Sequence, residues 1–276
     1  MPRIVALQMT SGPDVAANLD AAARLIAQAA QADAQLVVLP ENFALMGRAD
    51  ADVLRIREQP GAGPLQEFLA GQARSHGVWL VGGTIPLVAD GVADKVHAAC
   101  LVFDAAGRQA ARYDKIHLFD VQLAEGKERY AESETFAPGE RVTVLDTPVG
   151  KLGLAVCYDL RFPELLRAML DAGVEIIALP AAFTAFTGQA HWDVLVRARA
   201  IENLCYVVAA AQSGRHASGR ETHGHSMIVD PWGAVLGQLP HGPGLVSAEV
   251  DHTRLGATRR AFPALEHRRL RPASSN

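Results

Sequence analysis

The feature that most constrains the fold is an order of apolar runs that occurs twice along the chain. In the first half, a strand-like run at 35–40 (Gln-Leu-Val-Val-Leu-Pro) lies between two stretches in which apolar residues recur at helical spacing. In the second half, Glu-Ile-Ile-Ala-Leu-Pro at 175–180 stands in the same position. Alternating strands and helices are typical of α/β layers. We therefore predict two similar sheets packed face to face with helices outside, a four-layer α-β-β-α sandwich. The alternative is that the repeated order of apolar runs arises by chance.

The two halves are expected to form one domain, because no segment rich in proline, glycine or serine separates them. We place this domain at residues 1–255 and a C-terminal tail at 256–276. The stretch at 259–271 is basic but lacks interleaved aromatic residues, so it is not typical of a nucleic-acid-binding segment. The tail is interpreted either as solvated or as an arm packed at a subunit interface.

Composition excludes several classes of protein. With 49% hydrophobic and 20% charged residues, the chain can bury a sizeable core. The net charge of −4 gives no electrostatic case for binding nucleic acid or an anionic membrane. Three widely spaced cysteines argue against a disulfide framework and for a reducing compartment. Neither a signal-peptide pattern nor an apolar stretch long enough to cross a bilayer is evident, so we expect a cytoplasmic protein.

Cys157 stands where a strand pattern at 151–156 gives way to a helix predicted to begin at Pro163. A thiol at such a turn is expected to be accessible. It is also expected to lie near the positive end of the helix dipole, which would favour the thiolate. These are the properties of a nucleophile. The structural alternative, a small core residue, is the interpretation for Cys100 and Cys205, which lie inside strand patterns.

Two charged residues also follow apolar runs: Glu41 comes directly after the run at 36–40, and Lys115 follows another strand pattern. Because ligand sites form at the carboxyl ends of strands in α/β sheets, both could reach one pocket with Cys157. A thiol, a carboxylate and an amine suit acyl transfer, as nucleophile, proton carrier and oxyanion stabiliser. Taken singly, Glu41 could cap a turn and Lys115 could be a surface charge. The chain has only four lysines against 22 arginines, however, so a lysine here calls for a reason.

The segments that carry these residues resemble the three signature segments of the nitrilase, or carbon–nitrogen hydrolase, superfamily. They are Leu-Pro-Glu-Asn at 39–42, Tyr-Asp-Lys-Ile-His-Leu-Phe-Asp at 113–120 and Cys-Tyr-Asp-Leu-Arg-Phe-Pro-Glu-Leu at 157–165. They occur in the family's order, and the resemblance runs from Ile4 to about Val250. It implies the same α-β-β-α sandwich, a catalytic triad and a homodimer or higher homo-oligomer. The triad would be Glu41, Lys115 and Cys157.

The resemblance also implies a second glutamate between the lysine and cysteine segments, matched here by Glu132. Glu125, Glu128 and Glu134 lie close by in a polar loop, so a solvated Glu132 is the alternative. The implied reaction converts a small linear acid amide to acid and ammonia through a cysteine thioester, with no cofactor. Glu41 would take the thiol proton, Glu132 would orient Lys115, and Lys115 would hold the oxyanion together with the backbone N–H of Tyr158.

Substrate-binding residues are predicted at Tyr158, Arg161, Phe183 and Thr184. Arg161 would meet a substrate carboxylate, and a salt bridge to a protein carboxylate is its alternative. Phe183 and Thr184 also follow a strand pattern, and they would form the rim of the pocket because ligand sites form at the carboxyl ends of strands. The expected partner is therefore a small-molecule amide that bears a carboxylate, with neither nucleic acid nor membrane.

Four further segments look like the branch that contains deaminated glutathione amidase; they lie at 161–164, 187–193, 197–202 and 224–233. An omega-amidase acting on 2-oxoglutaramate, an N-carbamoyl amidohydrolase, a nitrilase and a catalytically silent binding or scaffold protein are the alternatives. The loop histidines His216, His223 and His225 suggest metal ligands, but neither a CxxC nor an HExxH motif accompanies them. We expect no metal.

Overall fold

The structure is a computed structural model that describes residues 1–89, 91–92, 94–123 and 128–270. The helices are α1 (Val15–Gln31), α2 (Pro64–His76), α3 (Pro163–Asp171), α4 (Ala185–Asn203) and α5 (His252–Ala261). The strands are β1 (Arg3–Gln8), β2 (Leu36–Val38), β3 (Trp79–Val81), β4 (Ile85–Val88), β5 (Val96–Phe103), β6 (Gln109–Asp114), β7 (Asp120–Leu123), β8 (Glu128–Ala131), β9 (Val144–Thr147), β10 (Gly150–Leu154), β11 (Ile176–Ala181), β12 (Tyr206–Ala211), β13 (Ser213–Arg215), β14 (Glu221–His223), β15 (Ser226–Val229), β16 (Val235–Leu239) and β17 (Gly244–Glu249).

Most of these strands form two large sheets. The first has the order β17-β1-β2-β3-β5-β4, with β6 paired to β5, and the second has the order β16-β15-β12-β11-β10-β9. Each contains three neighbouring parallel strands, β1-β2-β3 in one and β10-β11-β12 in the other. The repeated runs at 35–40 and 175–180 correspond to β2 and β11, the middle strand of each triplet. The repeated order of apolar runs in the sequence therefore corresponds to a real similarity between the two sheets.

The sheets pack face to face with helices outside, so the predicted α-β-β-α sandwich is confirmed. Side chains alternate between the two faces of each strand, as the pleat requires. In β2, Leu36 and Val38 belong to the cluster that also contains the second sheet, whereas Val37 faces α1 and α2. Trp192 of α4 and Met169 of α3 pack with the second sheet on its side of the molecule.

Local signals place the helix ends. The Asp14 carboxylate accepts a hydrogen bond from the backbone N–H of Ala17 and so caps α1. Proline occupies the first position of both α2 and α3, where its missing N–H costs nothing. Helix α4 begins at Ala185, where the Thr184 hydroxyl caps it by accepting from the N–H of Thr187.

The C-terminal region contacts the protein's own surface as far as Arg268. The predicted boundary at 255 falls inside α5, where Leu255 is buried, and the division of the chain there stays a prediction. Arg259 donates hydrogen bonds to the carbonyls of Leu204 and Val174, and Arg268 pairs with Asp171 at 2.7 Å. Of the helices in the described ranges, none has the length and apolarity that crossing a bilayer demands.

Candidate active site

The structure brings together the three residues that the sequence places at strand ends. Glu41 lies just beyond β2, Lys115 directly follows β6, and Cys157 lies just beyond β10. The Lys115 Nζ atom is 2.8 Å from Glu41 Oε1, and the Cys157 side chain lines the same cavity. Gln212, at the end of β12, donates a hydrogen bond to the Glu41 carbonyl and so fixes this segment across the sheet interface.

Lys115 is a buried cation held between two carboxylates. Its Nζ atom lies 2.9 Å from both carboxylate oxygens of Glu132, in addition to the contact with Glu41. Burial alone would lower the pKa of Lys115, but attraction to Glu132 and Glu41 outweighs it, so the pKa is raised well above its ordinary value. The side chain is only 2% exposed. Lys115 therefore supplies a fixed positive charge and is not a proton acceptor.

Glu132 is the glutamate of its loop that contacts Lys115. One of its oxygens also accepts the backbone N–H of Phe119 at 2.6 Å. Burial raises the pKa of Glu132, and Lys115 partly offsets that rise. Glu134 instead pairs with Arg129 at the surface. Of the other two candidates, Glu125 and the side chain of Glu128 lie outside the described residues.

Cys157 and Asn42 both adopt left-handed backbone conformations, with φ of 49° and 55°. Such a conformation costs a non-glycine residue roughly 1–3 kcal/mol, and it persists where the surroundings impose it. Here the buried Asp159 carboxylate accepts hydrogen bonds from the N–H of Val156 at 2.8 Å and the hydroxyl of Tyr113 at 2.7 Å. The strained turn at Cys157 is thereby tied to β6, the strand that directly precedes Lys115.

Asp159 is a positioning residue that sequence reasoning missed. Its second oxygen accepts the backbone N–H of His117 and lies 2.7 Å from His117 Nδ1. One fully buried carboxylate thus joins both sides of the lysine segment to the cysteine turn. The sequence shows only an acid two residues after the cysteine; the burial of Asp159 and its partners on either side of Lys115 appear only in the tertiary structure.

The surroundings of the Cys157 thiol favour its protonated form. Burial raises its pKa well above the ordinary value, and the Glu41 charge adds to this, whereas Lys115 and the backbone N–H of Ala182 act in the opposite direction. The expectation that a helix dipole favours the thiolate is therefore wrong. A 3-10 turn over Cys157–Arg161 separates the sulfur from the start of α3.

All eight predicted site residues line one cavity; they are Glu41, Lys115, Glu132, Cys157, Tyr158, Arg161, Phe183 and Thr184. Several residues that were not predicted lie on the same walls, among them Asn42, Asp50, Phe119, Tyr130, Thr187 and Arg220. Most of these are uncharged or lie on loops without a strand-end signal. The structure thus supports the predicted grouping, while the role of each residue stays a prediction.

Arg161 is held by rings instead of by a carboxylate. Its guanidinium carbon lies 5.1 Å from the ring centre of Phe183 and 5.9 Å from that of Tyr158. Its Nη1 atom is 3.1 Å from His191 Nδ1. Within the described part of the chain no ion pair involves Arg161, so the salt-bridge alternative finds no partner there. Its charge is available to an anionic ligand in the cavity.

The loop histidines lie apart from this cavity. His216 is hydrogen-bonded to the Ser11 carbonyl and the Thr222 hydroxyl. His223 and His225 have ring nitrogens that lie, with a carboxylate oxygen of Asp193, within 4.8 Å of one another, a donor set that metal ions accept. Burial and the neighbouring His225 lower the pKa of His223 to about 4. The expectation that these histidines bind no metal stays a prediction.

Comparison with known proteins agrees with this geometry. Residues 3–260 match the family described as Carbon-nitrogen hydrolase. The chain belongs to this family. It is 46% identical over 267 residues to deaminated glutathione amidase from Yersinia enterocolitica, covering 97% of this chain and 93% of that protein. The resemblance drawn from the three signature segments is confirmed.

Solved structures of family members share the fold. Saccharomyces cerevisiae Nit3, a member of branch 10 of the nitrilase superfamily, superposes with a TM-score of 0.87 at 33% identity, over 98% of this chain and 97% of Nit3. A variant of the amidase from Nesterenkonia sp. AN1, in which acrylamide has added to the active-site cysteine, gives 0.76 at 28% identity over 96% of this chain and all of that one. The carbon–nitrogen hydrolase fold thus extends over nearly all of the present chain.

Proposed function

We propose that this protein hydrolyses a small linear amide that bears a carboxylate, with deaminated glutathione as the leading substrate and Cys157 as the nucleophile. The observation that carries the proposal is the set of contacts around one cavity. Glu41 lies 2.8 Å from the Lys115 ammonium, and both line the same cavity as Cys157. The names of the amidase relatives support the substrate class.

In the first step, Glu41 takes the thiol proton as the sulfur attacks the amide carbon. Lys115 cannot take it, because its raised pKa keeps it an ammonium. The tetrahedral oxyanion is stabilised by Lys115 and the backbone N–H of Tyr158. Loss of one such donor typically costs roughly 3–4 kcal/mol of transition-state stabilisation. A compact ammonium between two carboxylates suits this position better than a planar guanidinium, which gives a reason for lysine in a chain rich in arginine.

In the second step, Glu41 returns the proton to the departing nitrogen, and a thioester forms on Cys157. Glu41 then accepts a proton from water, which attacks the thioester, and the thiol regains its proton as the acid leaves. Proton transfer by a positioned carboxylate contributes roughly 10²–10⁴-fold in rate. Glu132 keeps Lys115 aligned throughout, since it holds the ammonium through both of its oxygens.

The leaving group depends on the substrate. A primary amide such as 2-oxoglutaramate releases ammonia, as expected from the sequence. The amides of deaminated glutathione are secondary, so its hydrolysis releases an amine. An assay that follows ammonia alone would therefore miss the leading substrate.

The test is a panel of deaminated glutathione, 2-oxoglutaramate, an N-carbamoyl amino acid and a nitrile, with release of both amine and ammonia followed. Cys157→Ala serves as the matched control. A preference for one amide that disappears in the variant supports the proposal and identifies the branch. Inactivity of folded protein on the whole panel would contradict it.

A catalytically silent scaffold is the alternative from another class. Brief treatment with an electrophile separates the two, because a nucleophile that Glu41 deprotonates should react faster than Cys100 and Cys205, which are fully buried. Equal labelling of the three cysteines would contradict the proposal.

We further propose a cytoplasmic homodimer or larger homo-oligomer. Free, buried cysteines support a reducing compartment. Three large apolar side chains of α4 are exposed to 45–68%, namely Phe186, Val194 and Ile201, which supports a subunit contact. Light scattering of the purified protein measures the mass, and a monomer at micromolar concentration would contradict the assembly.

A further inference from the structure

A second space, here called the outer cleft, adjoins the cavity of Cys157. Asn42, Asp50, Tyr130 and Arg220 line both spaces, so the two share a wall. The outer cleft has a volume of about 370 Å³, against about 60 Å³ for the inner cavity. Because the two spaces share this wall, the remainder of a longer amide can extend into the outer cleft when its carbonyl carbon reaches Cys157.

The outer cleft carries excess positive charge. It is lined by the side chains of Arg48, Arg129 and Arg220 but by only one carboxylate, that of Asp50. Arg129 already pairs with Glu134 at 2.7 Å. Among the ion pairs of the described residues, none involves Arg48 or Arg220.

Arg220 is the best placed of these residues to bind an anion. Its guanidinium lies 4.5 Å from the ring centre of Tyr130, which holds its plane at the junction of the two spaces. Its Nε atom is buried and has no hydrogen-bond partner within the described ranges. A buried charged donor without an acceptor is unfavourable, and a bound carboxylate would satisfy it.

We propose that the outer cleft binds a carboxylate at the leaving-group end of the substrate, with Arg220 as the main donor and Arg48 as the second. This inference rests on the proposed function and narrows its substrate class. Arg161, which lines only the inner cavity, is then left for the carboxylate of the acyl part. The preferred substrate is a secondary amide with one carboxylate on each side of the scissile bond. Deaminated glutathione has this form, whereas 2-oxoglutaramate lacks the second carboxylate.

The first test compares kcat/KM for deaminated glutathione with that for 2-oxoglutaramate. In Arg220→Gln the ratio of the two should fall about 10- to 100-fold, through KM for the longer substrate, because a charged hydrogen bond is lost. Arg48→Gln should lower the ratio by a smaller factor. Arg215→Gln is the matched control, since Arg215 is an exposed residue of the same hairpin and lines neither space. It should leave the ratio unchanged.

The second test changes the substrate instead of the protein. In the analogue of deaminated glutathione, the glycine carboxylate is converted to a carboxamide. With the wild-type enzyme, kcat/KM for this analogue should be lower than for the acid by about the factor expected for Arg220→Gln. Arg220→Gln should then lower kcat/KM for the analogue little further, because the interaction with the carboxylate is already absent. The inference would be overturned if the wild type hydrolyses the acid and the carboxamide with equal kcat/KM. It would also be overturned if Arg220→Gln lowers kcat/KM for both compounds by the same factor.

Binding separates failure of this inference from failure of the proposed function. If the wild type hydrolyses neither substrate, the proposed function is wrong, and calorimetry with Cys157→Ala still tests the cleft. Tighter binding of deaminated glutathione than of its carboxamide, abolished by Arg220→Gln, supports the carboxylate site. Equal binding of the two compounds overturns it. Circular dichroism of each variant checks that it is folded.

Discussion

Replacement of Lys115 by methionine should show how strongly the buried carboxylates of the site depend on its positive charge. Methionine is similar in length but leaves the Glu41 and Glu132 carboxylates without their shared cation. Because both lie within 3 Å of Nζ, these carboxylates are within about 6 Å of each other. Removing one partner of a buried ionic group typically costs about 3–5 kcal/mol. We expect the free energy of unfolding at pH 7.5 to fall by that amount, with loss of activity.

This loss should shrink as the pH falls. Burial already raises the pKa of Glu132, and removing Lys115 removes the attraction that opposes the rise. A carboxyl whose pKa is higher in the folded than in the unfolded protein binds its proton preferentially in the folded state, so acid favours folding of the variant. Linkage gives a recovery of up to about 1.4 kcal/mol per pH unit for one such proton. Recovery ends as the pH nears the unfolded value, 4.5 for a glutamate.

The assay is urea unfolding of wild type and variant at pH 7.5, 6.5 and 5.5, with the difference in unfolding free energy taken at each pH. Lys151→Met is the matched control, because Lys151 pairs with Asp146 at 3.1 Å with both side chains largely exposed. It should cost less than about 1 kcal/mol at every pH. A loss in Lys115→Met that is as small as in the control, or that does not change with pH, would refute the electrostatic account of the site.

Three further predictions concern catalysis and the turn that holds the nucleophile. Glu41→Gln should lower kcat by about 10²–10⁴-fold, since the amide cannot accept the thiol proton; steady-state kinetics checks this, and a rate within tenfold of wild type would contradict it. Asp159→Asn should lower the melting temperature by roughly 5–10 °C in scanning calorimetry and reduce kcat, because the amide cannot accept every hydrogen bond that the carboxylate takes. An unchanged melting temperature would show that Asp159 does not hold the turn. Dialysis against EDTA should leave activity intact, because Lys115 supplies the positive charge; loss of activity restored by added metal would argue against this.

The sequence predicted the centre of the fold better than its edges. Buried parallel strands such as β2 and β11 are covered on both faces, so they appear as continuous apolar runs. The edge strand β17 is different, because most of its side chains are partly exposed and its partner β1 lies at the other end of the chain. Its pairing depends on tertiary contacts that no local pattern records.

The same division applies to the site. Glu41, Lys115 and Cys157 could be found because each follows an apolar strand and lies in a recognisable segment. Arg220 lies in a polar hairpin turn where one arginine resembles its neighbours, and only the tertiary structure places it beside Tyr130. The state of the thiol was also hidden, since it depends on burial and on Glu41, a residue far away in the sequence.

Protonation of the Cys157 thiol limits its reactivity at rest, which the sequence alone did not reveal. A resting thiolate would react with any electrophile, whereas a buried thiol in the same cavity as Glu41 becomes nucleophilic only as its proton is removed. The permanent positive charge resides instead on Lys115, where it faces the developing oxyanion. Because Glu132 and Glu41 both hold that ammonium, the electrostatic stabilisation is in place before the substrate arrives and needs no reorganisation during attack. Selectivity can then come from the arginines around the cavity, since only an amide whose carboxylates are held there brings its carbonyl carbon to the sulfur.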